Sequence, residues 1–163
     1  MSRHLILIGL PGSGKTTVGR LAAAQLSLPF ADCDALIEAE TGMTIPALFA
    51  QRGEGYFREV ERRILAALCA APAQVIATGG GAVVAEENRK IMKSSGVVVF
   101  LDRPIADIAR CVGNRERPLL KTHTLEELAA QRRRLYLDCA HAALCHGTAA
   151  QLAAAAAGIW RST

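Results

Sequence analysis

Apolar residues along this chain keep two rhythms that take turns. Short, mainly apolar runs at 5–8, 74–77 and 97–101 predict strands, the last of them β-branched and buried; a short strand at 30–33 ends in acids, and 142–145 is a candidate last strand. Between them, apolar positions recur every three or four residues. That spacing predicts helices at 16–26, 35–41, 45–69, 86–94, 105–112 and 125–139, with an alanine-rich helix at 149–157 closing the chain. The helix at 45–69 is expected to break near Arg52-Gly53-Glu54-Gly55. Strands that alternate with helices give an α/β fold, a parallel sheet covered on both faces, because each crossover must run back over the sheet. At 163 residues one domain spanning 1–163 is expected, large enough to bury a core without staples. The polar, arginine-rich connection at about 112–124 is long for a compact domain, and its length suggests a lid.

Ligands of such sheets bind beyond the carboxyl ends of the strands. Three chemically loaded segments fall there. The first is Gly9-Leu10-Pro11-Gly12-Ser13-Gly14-Lys15-Thr16, directly after a strand and opening a helix, which is the order a phosphate-binding P-loop requires. Its glycines let backbone N–H groups converge on phosphates, Lys15 adds a point charge, and the Thr16 hydroxyl can ligate Mg²⁺. The second is Asp32-Cys33-Asp34, whose two carboxylates share a face if the strand runs on to Asp34. A carboxylate there could hold Mg²⁺ through water, position an acceptor hydroxyl or take its proton; Asp34 could equally just cap the next helix. The third is Thr78-Gly79-Gly80-Gly81. Three successive glycines are costly in backbone entropy, so either something approaches the main chain closely, or the chain turns oddly, or the loop is merely flexible.

Arginines add to the picture. Leu125, Leu128, Arg132, Leu135 and Cys139 follow a 3-4-3-4 spacing, which puts Arg132 on an apolar stripe, while Arg134 shares its face with Glu127, Gln131 and Asp138. An inward charge needs an anionic partner, either a substrate carboxylate or phosphate or an internal acid. Arg58 stands at the edge of the stripe Phe57, Val60, Ile64, Leu68, with Glu54 and Glu61 in helical reach, so a solvated ion pair is its plain alternative. Arg115 and Arg117 of the expected lid suit phosphate oxygens in a closed site.

Composition narrows the class further. Five cysteines lie scattered without metal-ligand spacing, which predicts free thiols in a reducing compartment. No signal peptide, transit peptide or membrane span is expected. The formal charge of +4 fits small anionic substrates, and aromatics at 4% are too few for a base-stacking surface, so neither a nucleic-acid nor a membrane partner is expected.

Taken together, these motifs resemble the shikimate kinase family over nearly the whole chain. The match rests on the loop at 9–17, Asp32-Cys33-Asp34, Gly53-Glu54-Gly55-Tyr56-Phe57-Arg58, Thr78-Gly79-Gly80-Gly81, Arg117-Pro118-Leu119-Leu120, and Arg132 four residues before Tyr136. The resemblance implies a three-layer P-loop kinase fold with a five-stranded parallel sheet of order 2-3-1-4-5, flanked by helices and carrying a lid. It implies transfer of the ATP γ-phosphoryl group to the 3-hydroxyl of shikimate, with Mg²⁺, in aromatic amino acid biosynthesis, by a cytoplasmic and monomeric enzyme. Lys15, Asp34 and Arg117 would be catalytic, and Asp34, Arg58, Gly79, Gly80, Gly81 and Arg132 would bind shikimate. Gly12, Ser13, Gly14, Lys15, Thr16, Thr17, Arg110 and Arg117 would bind the nucleotide, with Arg110 against adenine, and Thr16 and Asp32 (through water) would serve the metal. A kinase of another small acid such as gluconate, and a nucleotide-dependent regulatory protein, stand as alternatives.

Overall fold

The computed structural model describes residues 3–112 and 124–163. Five strands and seven helices follow one another as β1 (His4–Ile8), α1 (Lys15–Leu26), β2 (Phe30–Asp32), α2 (Cys33–Thr41), α3 (Ile45–Ala70), β3 (Val75–Ala77), α4 (Glu86–Ser95), β4 (Gly96–Leu101), α5 (Ile105–Val112), α6 (Leu125–Cys139), β5 (Ala142–Leu144) and α7 (Ala149–Ser162). A single 3₁₀ turn at Ala82–Val84 lies between β3 and α4. The strands form one sheet of order β2-β3-β1-β4-β5, and every pairing is parallel.

Alternation along the central strands divides the core between the two sheet faces. Ile6, Ile8, Ile76, Val98 and Phe100 pack with Leu65 of α3, Met92 of α4 and Leu128, Tyr136 and Cys139 of α6. The opposite set, Leu5, Leu7, Val75, Val97 and Val99, packs with Val18 and Ala22 of α1 and Leu152 and Ala156 of α7. Ile37 of α2 forms a separate cluster with Leu48, Phe57, Val60 and Ile64 of α3. Small residues on α1 and α7 let those two helices lie close to the sheet and to each other.

Differences from the sequence expectation have local causes. β2 stops at Asp32 because the Asp32 carboxylate accepts from the Ala35 N–H at 3.1 Å and thereby caps α2. The strand therefore does not reach Asp34, and the two acids do not share a strand face. The cap is Asp32 rather than Asp34, which sits in the first turn of α2. The break in α3 falls at Gly53, whose φ of 81° no helix tolerates. α7 runs on past 157 to Ser162 because Trp160 meets the start of the chain: its indole N–H donates to the Arg3 carbonyl at 3.1 Å, and the Arg3 guanidinium stands 4.8 Å from its ring. Capping boxes at Thr124 with Glu127 and at Thr148 with Gln151 fix where α6 and α7 begin. Cys33, Cys69, Cys139 and Cys145 are free thiols. Among the described residues no helix is long and apolar enough to cross a membrane. The expected lid, with Arg117, lies outside the described residues apart from its end positions.

Candidate active site

All of β1 is buried, and the chain leaving its carboxyl end must turn at once to meet α1. Gly9 (φ 154°), Gly12 (φ 79°) and Gly14 (φ 94°) supply the conformations that this turn needs. A Cβ on Gly9 would lie 2.9 Å from both the Leu101 carbonyl and Ser13 Oγ. Lys15 opens α1 and is only 8% exposed. Its ammonium donates to the carbonyls of Gly9 at 2.7 Å and Leu10 at 2.8 Å, so the charge is folded over the loop that carries it. Gly12, Ser13, Gly14 and Thr17 share one cleft.

Beside the loop, the Thr16 hydroxyl donates to Asp32 Oδ2 at 2.6 Å and so ties the start of α1 to the end of β2. Both groups are hard oxygen donors at the accessible rim of the site. Among the described residues no group of three or more acids, histidines or cysteines is placed to hold a metal ion by itself. That donor set fits Mg²⁺, which is held in phosphate sites by one or two protein oxygens together with water and substrate phosphates. It would not fit a metal needing a closed protein cage.

Opposite the loop lies a cluster of charge. Arg58, on α3 after the Gly53 break, donates to Glu61 Oε1 at 2.9 Å and to Glu54 at 3.4 Å. Glu61 is 1% exposed, and its second oxygen has no hydrogen-bond partner among the described residues. Burial pushes the Glu61 carboxyl above the usual carboxylate range; the Arg58 charge opposes that rise, Asp34 adds to it and Arg132 opposes it. Arg132 is 5% exposed, with Nη1 buried and lacking a hydrogen-bond partner among the described residues. The inward position read from spacing is thus the observed one, whereas Arg134 is exposed and Arg133 pairs with Asp102 at 2.5 Å. One turn beyond Arg132, the Tyr136 hydroxyl donates to the Gly80 carbonyl at 2.5 Å. Burial lifts the Tyr136 pKa to about 12, which keeps the phenol protonated as that donor.

The glycine run explains itself against these neighbours. A Cβ on Gly79 would lie 2.8 Å from Glu61 Oε2 and 3.0 Å from Asp34 Oδ1. On Gly80 it would meet Pro11 Cδ at 2.7 Å, and on Gly81 it would lie 2.6 Å from Arg58 Cζ. None of the three has a positive φ. Close approach, not an unusual turn, is therefore what requires glycine here. The structure brings Asp34, Arg58, Gly79, Gly80, Gly81 and Arg132 together around Glu61 and Tyr136. Both were within reach of the sequence: Glu61 is three residues after Arg58 and beside the buried Val60, and Tyr136 follows the inward Arg132 by one turn. Arg110 lies on the exposed side of α5, 77% exposed and paired with Asp107 at 2.5 Å. The neighbouring Arg103, Asp107 and Ile108 line the cleft beside the loop.

A phosphate loop at the switch point of a parallel sheet, beside a charged cluster with two arginines, defines a P-loop kinase of small anionic metabolites. A sequence model of the shikimate kinase family matches residues 11–159. The chain belongs to the shikimate kinase family. It is 45% identical over 149 residues to a shikimate kinase of Symbiobacterium thermophilum, covering 87% of this chain and 86% of that one. To a shikimate kinase of Pseudomonas syringae pv. tomato it is 47% identical over 143 residues, covering 85% and 83%. The structure of a shikimate kinase from Acinetobacter baumannii in complex with shikimate superposes with a TM-score of 0.94, at 37% identity over 99% of this chain and 94% of that one.

Proposed function

We propose that this chain transfers the γ-phosphoryl group of ATP to the 3-hydroxyl of shikimate, giving shikimate 3-phosphate and ADP, as a cytoplasmic step of aromatic amino acid biosynthesis. The observation that carries the acceptor is Arg132: a buried guanidinium with a spare N–H beside Arg58 calls for an anionic partner, and a carboxylate matches a guanidinium fork. Arg58 is already held by Glu61 and Glu54, so it presents a fixed edge to that same carboxylate. The lack of side chains at Gly79 to Gly81 lets Glu61, Asp34, Pro11 and Arg58 close in on that main chain, which sets the acceptor-side groups in place.

The residues act by position and charge, since phosphoryl transfer requires little covalent help. Gly12, Ser13, Gly14, Lys15, Thr16 and Thr17 hold the phosphates; Lys15 neutralises charge on the transferring group, and Thr16 with Asp32, through water, would hold Mg²⁺. Held by Thr16 and Asp32, Mg²⁺ would supply positive charge against the phosphates. Asp34 orients the acceptor hydroxyl and takes its proton. Arg117, on the segment at 112–124 assigned here as a lid, would reach the phosphates in the closed enzyme, and Arg110 would lie against adenine. The chain acts as one domain over 1–163 and as a monomer, with no nucleic-acid or membrane partner.

Magnesium-dependent ADP release measured with shikimate, with gluconate and with no acceptor tests the assignment. Strong stimulation by shikimate alone is expected; ATP binding without stimulation by either acid would turn the assignment toward a regulatory protein. Within the enzyme, Gly81→Ala is expected to raise the shikimate KM by about ten-fold or more, since its methyl group displaces the Arg58 guanidinium and small misplacements are costly in such sites. The ATP KM should stay within about two-fold, because Gly81 lies on the acceptor side. Steady-state kinetics on the purified variant decides it, and equal changes in both constants would argue against the assignment.

A further inference from the structure

The cleft that holds Gly12, Gly14 and Thr17 has a far wall made by the segment after β4, whose charged groups are Arg103 and Asp107. The Nε of Arg103 is buried with no hydrogen-bond partner among the described residues. Its one ion pair among the described residues is loose: Nη2 stands 4.0 Å from Asp107 Oδ2, and Asp107 is engaged more closely by Arg110, at 2.5 Å on its other oxygen. Arg103 therefore keeps unspent hydrogen-bonding capacity in a cleft whose opposite wall is the positive end of α1. Two positive elements facing each other across a gap attract an anion. Val18, Ile108 and Ala149 supply apolar surface in the same cleft, as a nucleoside needs.

Resting on the nucleotide reading above, we propose that Arg103 is a nucleotide-binding residue, gripping the phosphate nearest the nucleoside from the side opposite the loop. Asp107 parks the guanidinium at the cleft wall, and the nucleotide draws it away. Arg103 is only 21% exposed in its side chain, so it reaches the ligand with little ordering cost. The assignment separates two arginines of one segment. Arg103 faces the cleft and serves charge, whereas Arg110 projects from the exposed side of α5.

Titration calorimetry with ADP on the full chain tests the proposal without turnover. Arg103→Met is expected to weaken ADP by about ten-fold or more, the effect of losing one charge-assisted contact. Arg103→Lys should recover most of that loss, since a phosphate accepts a point charge. Shikimate binding measured without nucleotide should remain within about two-fold in both variants, which shows that they fold. An ADP affinity within two-fold of the parent in Arg103→Met overturns the proposal, as does a Lys variant as weak as the Met variant. A parent protein that binds no ADP overturns it together with the nucleotide reading. ADP binding that depends on Arg103, in a protein without shikimate-stimulated turnover, supports it and removes the acceptor reading alone.

Discussion

Lys15→Ala lowers kcat by about 10²–10³-fold at saturating substrates, the expected cost of removing one preorganised charge aimed at the transferring group. The Lys15 ammonium is anchored by two carbonyls of its own loop and is nearly excluded from solvent, so it is held in place before the reaction asks anything of it. A charge already desolvated acts strongly on developing negative charge and reorganises little. Coupled-assay kinetics measures the fall, and circular dichroism checks that the loop variant is folded. A kcat within ten-fold of the parent would remove Lys15 from the catalytic set. The shikimate affinity, measured without nucleotide, should hardly change, because Lys15 sits on the phosphate side of the site.

Arg132→Ala has the mirror-image signature. Shikimate binding should weaken by about ten-fold to over a hundred-fold, the range for one charge-assisted contact, while the ATP KM stays within about two-fold. The effect is large because Arg132 is buried, so its bond to a carboxylate is made away from competing water. Arg132→Lys should fall in between, since a single ammonium cannot reproduce the planar fork. Isothermal titration with each ligand reads the asymmetry; equal losses for both ligands would assign Arg132 to structure instead.

Much of this molecule could be read before any coordinates. The alternation of apolar runs placed every strand and helix, because a parallel sheet covered on both faces leaves an unmistakable pattern in β1 and β4. Arg132 was legible because a charge on a 3-4-3-4 stripe contradicts its surroundings. What escaped was set by tertiary contact. Asp32 ends β2 through a hydrogen bond to a backbone group three residues on, and the same carboxylate also meets Thr16, which no local window contains. Glu61 stood in helical reach of Arg58 in the sequence, but as half of a solvated pair; its burial is what only the fold shows. Arg103 and Arg110 are one segment's two cations, and only the packing of α5 against the loop tells which of them lines the cleft. Lid residues gave motif signals, but Arg117 falls outside the described residues.

The separate cluster of Ile37, Leu48, Phe57, Val60 and Ile64 bears on how such an enzyme can change over generations. Arg58, Glu61 and Asp34 are carried by α2 and α3, the two helices that this cluster joins, whereas Lys15 and Thr16 begin a helix packed on the sheet. Repacking the small cluster would shift the acceptor-side groups while leaving the phosphate cradle on its own foundation. Descendants could thus try new acceptors without first giving up the nucleotide, and Arg132, rooted in the main core, would be the part of the old acceptor grip slowest to drift.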